Sequence, residues 1–247
     1  MKILISNDDG IFAPGIKALV SAFAKAGYEV YVAAPDSQRS AASHSMTLFR
    51  PLTAKETTFE GAVKAWAIDG TPVDCVKLAV ETLCPEVEAV LSGINHGYNA
   101  GSDVLYSGTV GAAMEGALSG KPALAVSLGY EREDTYDKAA ALAVEVFNKA
   151  KEQAMPAYSL LNLNYPENDE ALGLKATSLR ALRYLETYEP HVGEDGVVQY
   201  TLNGALDKNM EDGEDDYTWL RRGYATVTVL SFDLTHDAAT KALEDIL

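Results

Sequence analysis

Two carboxylates, Asp8 and Asp9, stand side by side in "ILISNDDGIFAPG", directly after a short apolar run. Adjacent acids repel each other unless a cation or proton neutralises them, so the pair reads as either a solvated turn or a metal-binding site. Asp-Gly is a strong hairpin signal, but a hairpin needs a second strand immediately after Gly10. The next periodic segment is instead helical, with Ile16, Leu19, Val20 and Phe23 on one face. The pair therefore opens a strand-to-helix loop.

A second set lies in "SGINHGYNAGSDVLYSGTVGAAMEG". Asn95 and Asn99 follow the strand-like "VEAVL", and Ser107, Gly108 and Thr109 begin a helical segment. Free N–H groups and the dipole at a helix start favour an anion, and the two hydroxyls add donors. Ordinary capping explains Ser and Thr at such a place equally well. A third set, Ser40, Ser43, His44 and Ser45, sits in the loop after a second strand. Carboxylate, amide and hydroxyl oxygens together suit Mg²⁺, Mn²⁺ or Ca²⁺ rather than a structural zinc, and such a cation lets a phosphate approach an acidic chain.

These loops need a frame. "KILIS", "YEVYVAAP", "VKAWAID", "VEAVLSG", "PALAVSL" and "YSLLNLNYP" read as strands. Between them lie the Ile16–Phe23 helix, "GTPVDCVKLAVETL", "GTVGAAMEGALSG" and "YDKAAALAVEVFNKAKEQ". The second of these helices has a marked start, with Thr71 as cap, Pro72 in the first turn and Asp74 closing a Thr-x-x-Asp box. Strands spaced by helices predict an α/β fold with a mostly parallel sheet covered on both faces. In that class ligands bind at the carboxyl ends of the strands, where all three loops fall. We expect residues 1–170 to form this core and 171–247 a C-terminal extension or arm of hairpins and loops that returns to the core. The acidic run "DKNMEDGEDDY" reads as a solvated loop.

Composition narrows the classes. The 247 residues carry a formal net charge of −16, which disfavours a nucleic-acid duplex as partner. Cys75 and Cys84 read as reduced core thiols. No apolar stretch reaches membrane-spanning length, and the expectation is a soluble cytoplasmic protein. The chain has no GxxxxGK[ST] loop, GxGxxG fingerprint, GxSxG elbow or HExxH pair.

Five segments, "ILISNDDGIFAPG", "VAAPDSQRSAASHS", "GTPVDCV", "LSGINHGYNAG" and "YSGTVGAAMEG", together resemble the stationary-phase survival protein SurE family, in order and in register. The likeness resumes at "LLNLNYP" and "RRGYATVTVLSFDLT". The resemblance implies a Rossmann-like three-layer core with a C-terminal arm, and a homodimer or homotetramer. It implies a metal-dependent 5′/3′-nucleotidase, a phosphoric monoester hydrolase acting on nucleoside monophosphates with one divalent ion per subunit, Mg²⁺ or Mn²⁺. By the same resemblance Asp8, Asp9, Ser40 and Asn95 match the metal ligands, and Asn99, Ser107, Gly108 and Thr109 match the phosphate-holding segment. Asp8 or Asp9 is then expected to orient or deprotonate the attacking water. Ala41, where the family commonly has Gly, and Val229, where Pro is usual, depart from its pattern. The rival readings are a non-catalytic nucleotide-binding module on the same fold and, less well matched, a nucleotide-sugar transferase.

Overall fold

The computed structural model describes all residues except 131–134, 152, 154, 194, 208, 245 and 247. A nine-stranded sheet runs through the molecule in the order β3-β4-β2-β1-β5-β6-β7-β11-β8. Its central strands are β1 (Lys2–Ser6), β2 (Glu29–Pro35), β4 (Ala62–Ile68), β5 (Ala89–His96), β6 (Ala123–Leu128) and β7 (Ser159–Tyr165). All six are mutually parallel. The chain starts at the middle of the sheet, winds outward through β2 to β4, then returns to the other side of β1 for β5, β6 and β7. This is the doubly wound Rossmann-type order, and its strand direction of progress reverses between β1 and β5. The expected α/β class and Rossmann-like architecture hold.

Alternation along β1 shows why both faces are covered. Ile3 and Ile5 pack with α1 (Pro14–Lys25) and α4 (Tyr136–Ala150), through Ile16, Leu19, Phe23, Ala139 and Ala143. Leu4 points the other way, into a cluster with Cys75, Val76 and Ala79 of α2 (Pro72–Leu78) and the π-helical turn that extends it. Helix α3 (Gly108–Leu118) covers β6 on that second face through Ala113 and Ala117. The box at the start of α2 is present: Asp74 N–H donates to Thr71 Oγ1 at 3.1 Å and Thr71 N–H to Asp74 Oδ2 at 2.9 Å. Helix α4 ends at Ala150 rather than running through Gln153, and residue 152 lies outside the described residues.

Part of the chain beyond residue 170 lies in the core sheet and part forms an arm. Strands β8 (Leu174–Ala176) and β11 (Ala225–Ser231) join the main sheet, β11 antiparallel to β7. Strands β9 (Tyr184–Val192) and β10 (Val198–Leu206) form a separate two-stranded arm. The acidic run is not a solvated loop throughout. Asp215 caps α5 (Asp216–Arg221) by accepting from Thr218 N–H at 2.8 Å. Buried Asp216 accepts from the N–H groups of Gly101 at 2.7 Å and Arg180 at 3.1 Å. An acid that satisfies helix and loop donors belongs inside, whatever the charge of its neighbours. A short edge strand, β3 (Ala54–Thr57), pairs antiparallel with β4 and was not expected from the sequence.

Candidate active site

At the reversal point between β1 and β5 the loops converge on a cavity of about 290 Å³. Asp8, Asp9, Ser40, Asn95, Asn99 and Ser107 all line it. Larger hollows of about 490 and 840 Å³ lie elsewhere, but neither holds a pair of adjacent acids.

The acidic turn is locked from three directions. Buried Asn7 donates through Nδ2 to Gly10 O at 2.9 Å, and Gly10 takes φ +96°, a conformation that favours glycine. Ile11 N–H donates to Pro35 O at 2.9 Å, and Arg39 N–H to Asp8 O at 2.7 Å. The last bond fixes the loop after β2, which carries Ser40, to the turn after β1.

Asp8 is buried and lies against the start of α3, where the Thr109 hydroxyl donates to Asp8 Oδ1. Gly108 permits this approach, because a Cβ there would stand 2.9 Å from Asp8 Cβ and 3.1 Å from Pro72 Cγ. Burial drives the Asp8 carboxyl up to about 6; the Thr109 bonds oppose that rise and the neighbouring Asp9 charge adds to it. Asp9 is half-buried, accepts from His96 N–H at 3.2 Å, and is also raised by burial.

Asn95 sits past a register shift in β5 and donates through Nδ2 to Gly97 O at 2.8 Å. Its Oδ1 has no partner among the described residues, which leaves an oxygen donor beside the acids. Ser40 is exposed, and its Oγ accepts from Gln38 Nε2 at 2.8 Å. Ser107 caps α3, accepting from Val110 N–H at 3.1 Å, so its own hydroxyl hydrogen remains to be donated. Gly108 and Thr109 do not line the cavity. Thr109 is fully buried and turns its hydroxyl to Asp8.

The donor set fits a hard divalent cation. Every candidate atom is an oxygen, and the two carboxylates are crowded and desolvated, with His96 offsetting part of the effect of burial at Asp9. Among the described residues no group of three His, Cys, Asp or Glu side chains stands ready for a metal. A cation here would need oxygens beyond the two carboxylates, and Asn95 and Ser40 line the same cavity.

Several lining residues were not singled out from the sequence: Gln38, His96, Tyr98, Asp103, Tyr106 and Tyr130. Tyr130 stacks at a tilt on His96, with ring centres 5.3 Å apart, and its carbonyl oxygen lies 2.7 Å from His96 Nε2. Asp103 accepts from Tyr184 OH at the base of β9 and is raised by burial. The tyrosines share one legible trait, in that each follows or falls within a glycine-rich loop at the carboxyl edge. Nothing in their spacing says that they face inward.

The family model described as survival protein SurE matches residues 3–186. A protein of Synechococcus elongatus named 5′-nucleotidase SurE is 43% identical, over 100% of this chain and 99% of its own. One of the same name from Desulforamulus reducens is 44% identical, over 98% of this chain and 97% of its own. The crystal structure of a SurE protein from Aquifex aeolicus superposes with a TM-score of 0.85 at 33% identity, covering 100% of this chain and 99% of that one.

Proposed function

The chain belongs to the SurE family and is a 5′-nucleotidase, and from that premise we propose that it hydrolyses nucleoside monophosphates with one divalent cation, Mg²⁺ or Mn²⁺, held by Asp8, Asp9, Ser40 and Asn95. The observation that carries this reading is the pair of adjacent carboxylates, both raised by burial, at the reversal point of the sheet. When bound, the cation supplies polarisation of a phosphoryl oxygen and a lowered pKa for a nearby water.

The two acids divide the remaining work. Asp8 has its carboxylate engaged by the Thr109 hydroxyl and is the more buried, so it anchors. Among the described residues Asp9 accepts the long bond from His96 N–H, and it is less buried than Asp8, so it orients the attacking water and takes its proton. Ser107 donates its free hydroxyl hydrogen to the phosphate, at the positive end of α3. Asn99 lines the same wall, and its Nδ2 gives one hydrogen to Ser127 Oγ at 2.8 Å, leaving the other for the phosphate. Gly108 and Thr109 serve by bringing the helix start to Asp8. Tyr106 and Tyr130, both exposed by about two-thirds at the rim, present ring faces on which any base can stack.

The proposal extends to 3′-monophosphates on the family resemblance, not on a feature of the cavity. It also assigns the β9–β10 arm to assembly of a homodimer or homotetramer. An isolated two-stranded ribbon is marginally stable in water, and this one exposes Leu185, Tyr188, Tyr200 and Leu202. Both cysteines are free and buried, which agrees with a cytoplasmic setting. Among the described residues no helix is long and apolar enough to cross a membrane.

The test is phosphate release from AMP with Mn²⁺ by the wild type and by Asp9→Asn. A fall of about a hundredfold or more in kcat, with the fold kept, supports the assignment of Asp9. Unchanged turnover refutes it. Tight AMP binding by the wild type without turnover at any metal points instead to a binding module.

A further inference from the structure

One wall of the cavity is the loop 97–107, which is irregular around Asn99 before a 3₁₀ turn at Gly101–Leu105, and irregular backbone holds a shape only where its N–H and C=O groups are tied down. Asn99 is buried and tied almost entirely from the sheet behind it. Its N–H donates to Asn164 Oδ1 at 2.9 Å, and its carbonyl accepts from Asn164 Nδ2 at 3.0 Å. The same carbonyl accepts from Asn162 Nδ2 at 2.8 Å, and Asn99 Nδ2 donates to Ser127 Oγ at 2.8 Å.

The placement follows from strand geometry. Asn162 and Asn164 alternate on β7 and so project from one face, and Ser127 is the register partner of Asn164 on β6. A primary amide carries a donor and an acceptor on one rigid group. Asn164 can therefore pair both backbone groups of Asn99, as a neighbouring strand would. A carboxylate lacks the donor, and an apolar side chain lacks both. Asn162, Asn164 and Ser127 do not line the cavity, so any effect on catalysis must pass through Asn99.

We propose that Asn164, assisted by Asn162 and Ser127, is a positioning residue of the nucleotidase that fixes Asn99 in the pose that holds the substrate phosphate. The proposal rests on the reading of Asn99 as a phosphate-holding residue. Asn164 makes two of the bonds to the Asn99 backbone and Asn162 one, so their replacements should rank in that order.

The experiment compares Asn164→Leu, Asn162→Leu and Asn99→Ala with the wild type. It reads kcat/KM for AMP, the inhibition constant of inorganic phosphate, the Mn²⁺ concentration for half-maximal activity, and the unfolding midpoint. For folded Asn164→Leu we expect kcat/KM lower by about 30-fold and the phosphate constant raised by about tenfold, with Mn²⁺ activation within about twofold. Asn162→Leu should show the same pattern more weakly. A folded Asn164→Leu with kcat/KM and phosphate inhibition both within about threefold of wild type overturns the proposal. So does a loss that follows the folded fraction and recovers on cooling. If Asn164→Leu does not fold, Ser127→Ala carries the test: weaker phosphate inhibition supports the clamp and unchanged inhibition overturns it. Asn99→Ala separates the two layers. If it leaves phosphate inhibition unchanged, the reading of Asn99 fails and the proposal falls with it. If it weakens inhibition while Asn164→Leu does not, the clamp alone fails.

Discussion

Replacing Asp8 by Asn should stabilise the metal-free fold at neutral pH, although Asp8 lies at the heart of the site. Burial raises the Asp8 carboxyl from 3.8 to about 6, so between those values the folded chain binds more protons than the unfolded one. Stability then falls as pH rises through the window, and the full penalty is present above about 6. Two units at about 1.4 kcal/mol each give a penalty of about 3 kcal/mol. Asn is neutral at every pH and keeps an Oδ1 to accept the Thr109 hydroxyl. In EDTA at pH 7.5, Asp8→Asn should therefore be the more stable protein by up to about 3 kcal/mol, or roughly 6–12 °C in midpoint for a chain of this size. Well below 3.8, at about pH 3 and lower, both side chains are largely neutral in both states, and the difference should vanish. Urea unfolding of the two proteins in EDTA across this pH range measures it. Excess Mn²⁺ should reverse the order at pH 7.5, because only the wild type retains the full charge that binds the cation. A metal-free Asp8→Asn that is less stable than wild type at pH 7.5, or a difference that does not change with pH, refutes the reasoning.

Gly108→Ala should cut phosphate release by about tenfold or more, although alanine is the better helix former. Its Cβ would press on Asp8 Cβ at 2.9 Å, and steady-state kinetics with an unfolding curve reads both effects. Thr71→Ala should cost about 1 kcal/mol or slightly more by urea unfolding, since it removes the cap of α2 and the 2.7 Å bond to Ser45 O. Its turnover should change little. Removing the arm, residues 184–206, should yield a smaller species by light scattering, and an unchanged mass contradicts the assembly role given to the arm.

Much of the frame was legible because it is written in local periodicity. The six core strands and four long helices of the first 165 residues each show their own apolar pattern, and the Thr71–Asp74 box could be read from four consecutive residues. The missed elements lack such a pattern. Strand β3 is four residues of "AKET" at an exposed edge, and β8 is three residues. Within the site, placing Asp8, Asp9 and Asn95 needed only the rule that loops at strand carboxyl ends meet. The Thr109–Asp8 bond spans 101 positions, and no spacing argument reaches that far. Thr109, matched with Gly108 to the phosphate-holding segment by resemblance, also turns its hydroxyl to the acid. Asn162 and Asn164 carried a faint signal, two amides alternating in an otherwise apolar buried strand. Buried amides announce a need for partners, but the identity of the partner, Asn99, is tertiary information.

A cation held at Asp8 and Asp9 during phosphate release is the centre of the proposed mechanism. The direct measurement is turnover of AMP by protein stripped with EDTA, shown by elemental analysis to be metal-free, and then titrated with Mn²⁺ or Mg²⁺. The predicted result is no release from the stripped protein and recovery that saturates near one ion per chain. Full activity in the verified metal-free protein would rule out a cation at Asp8 and Asp9 as part of the reaction.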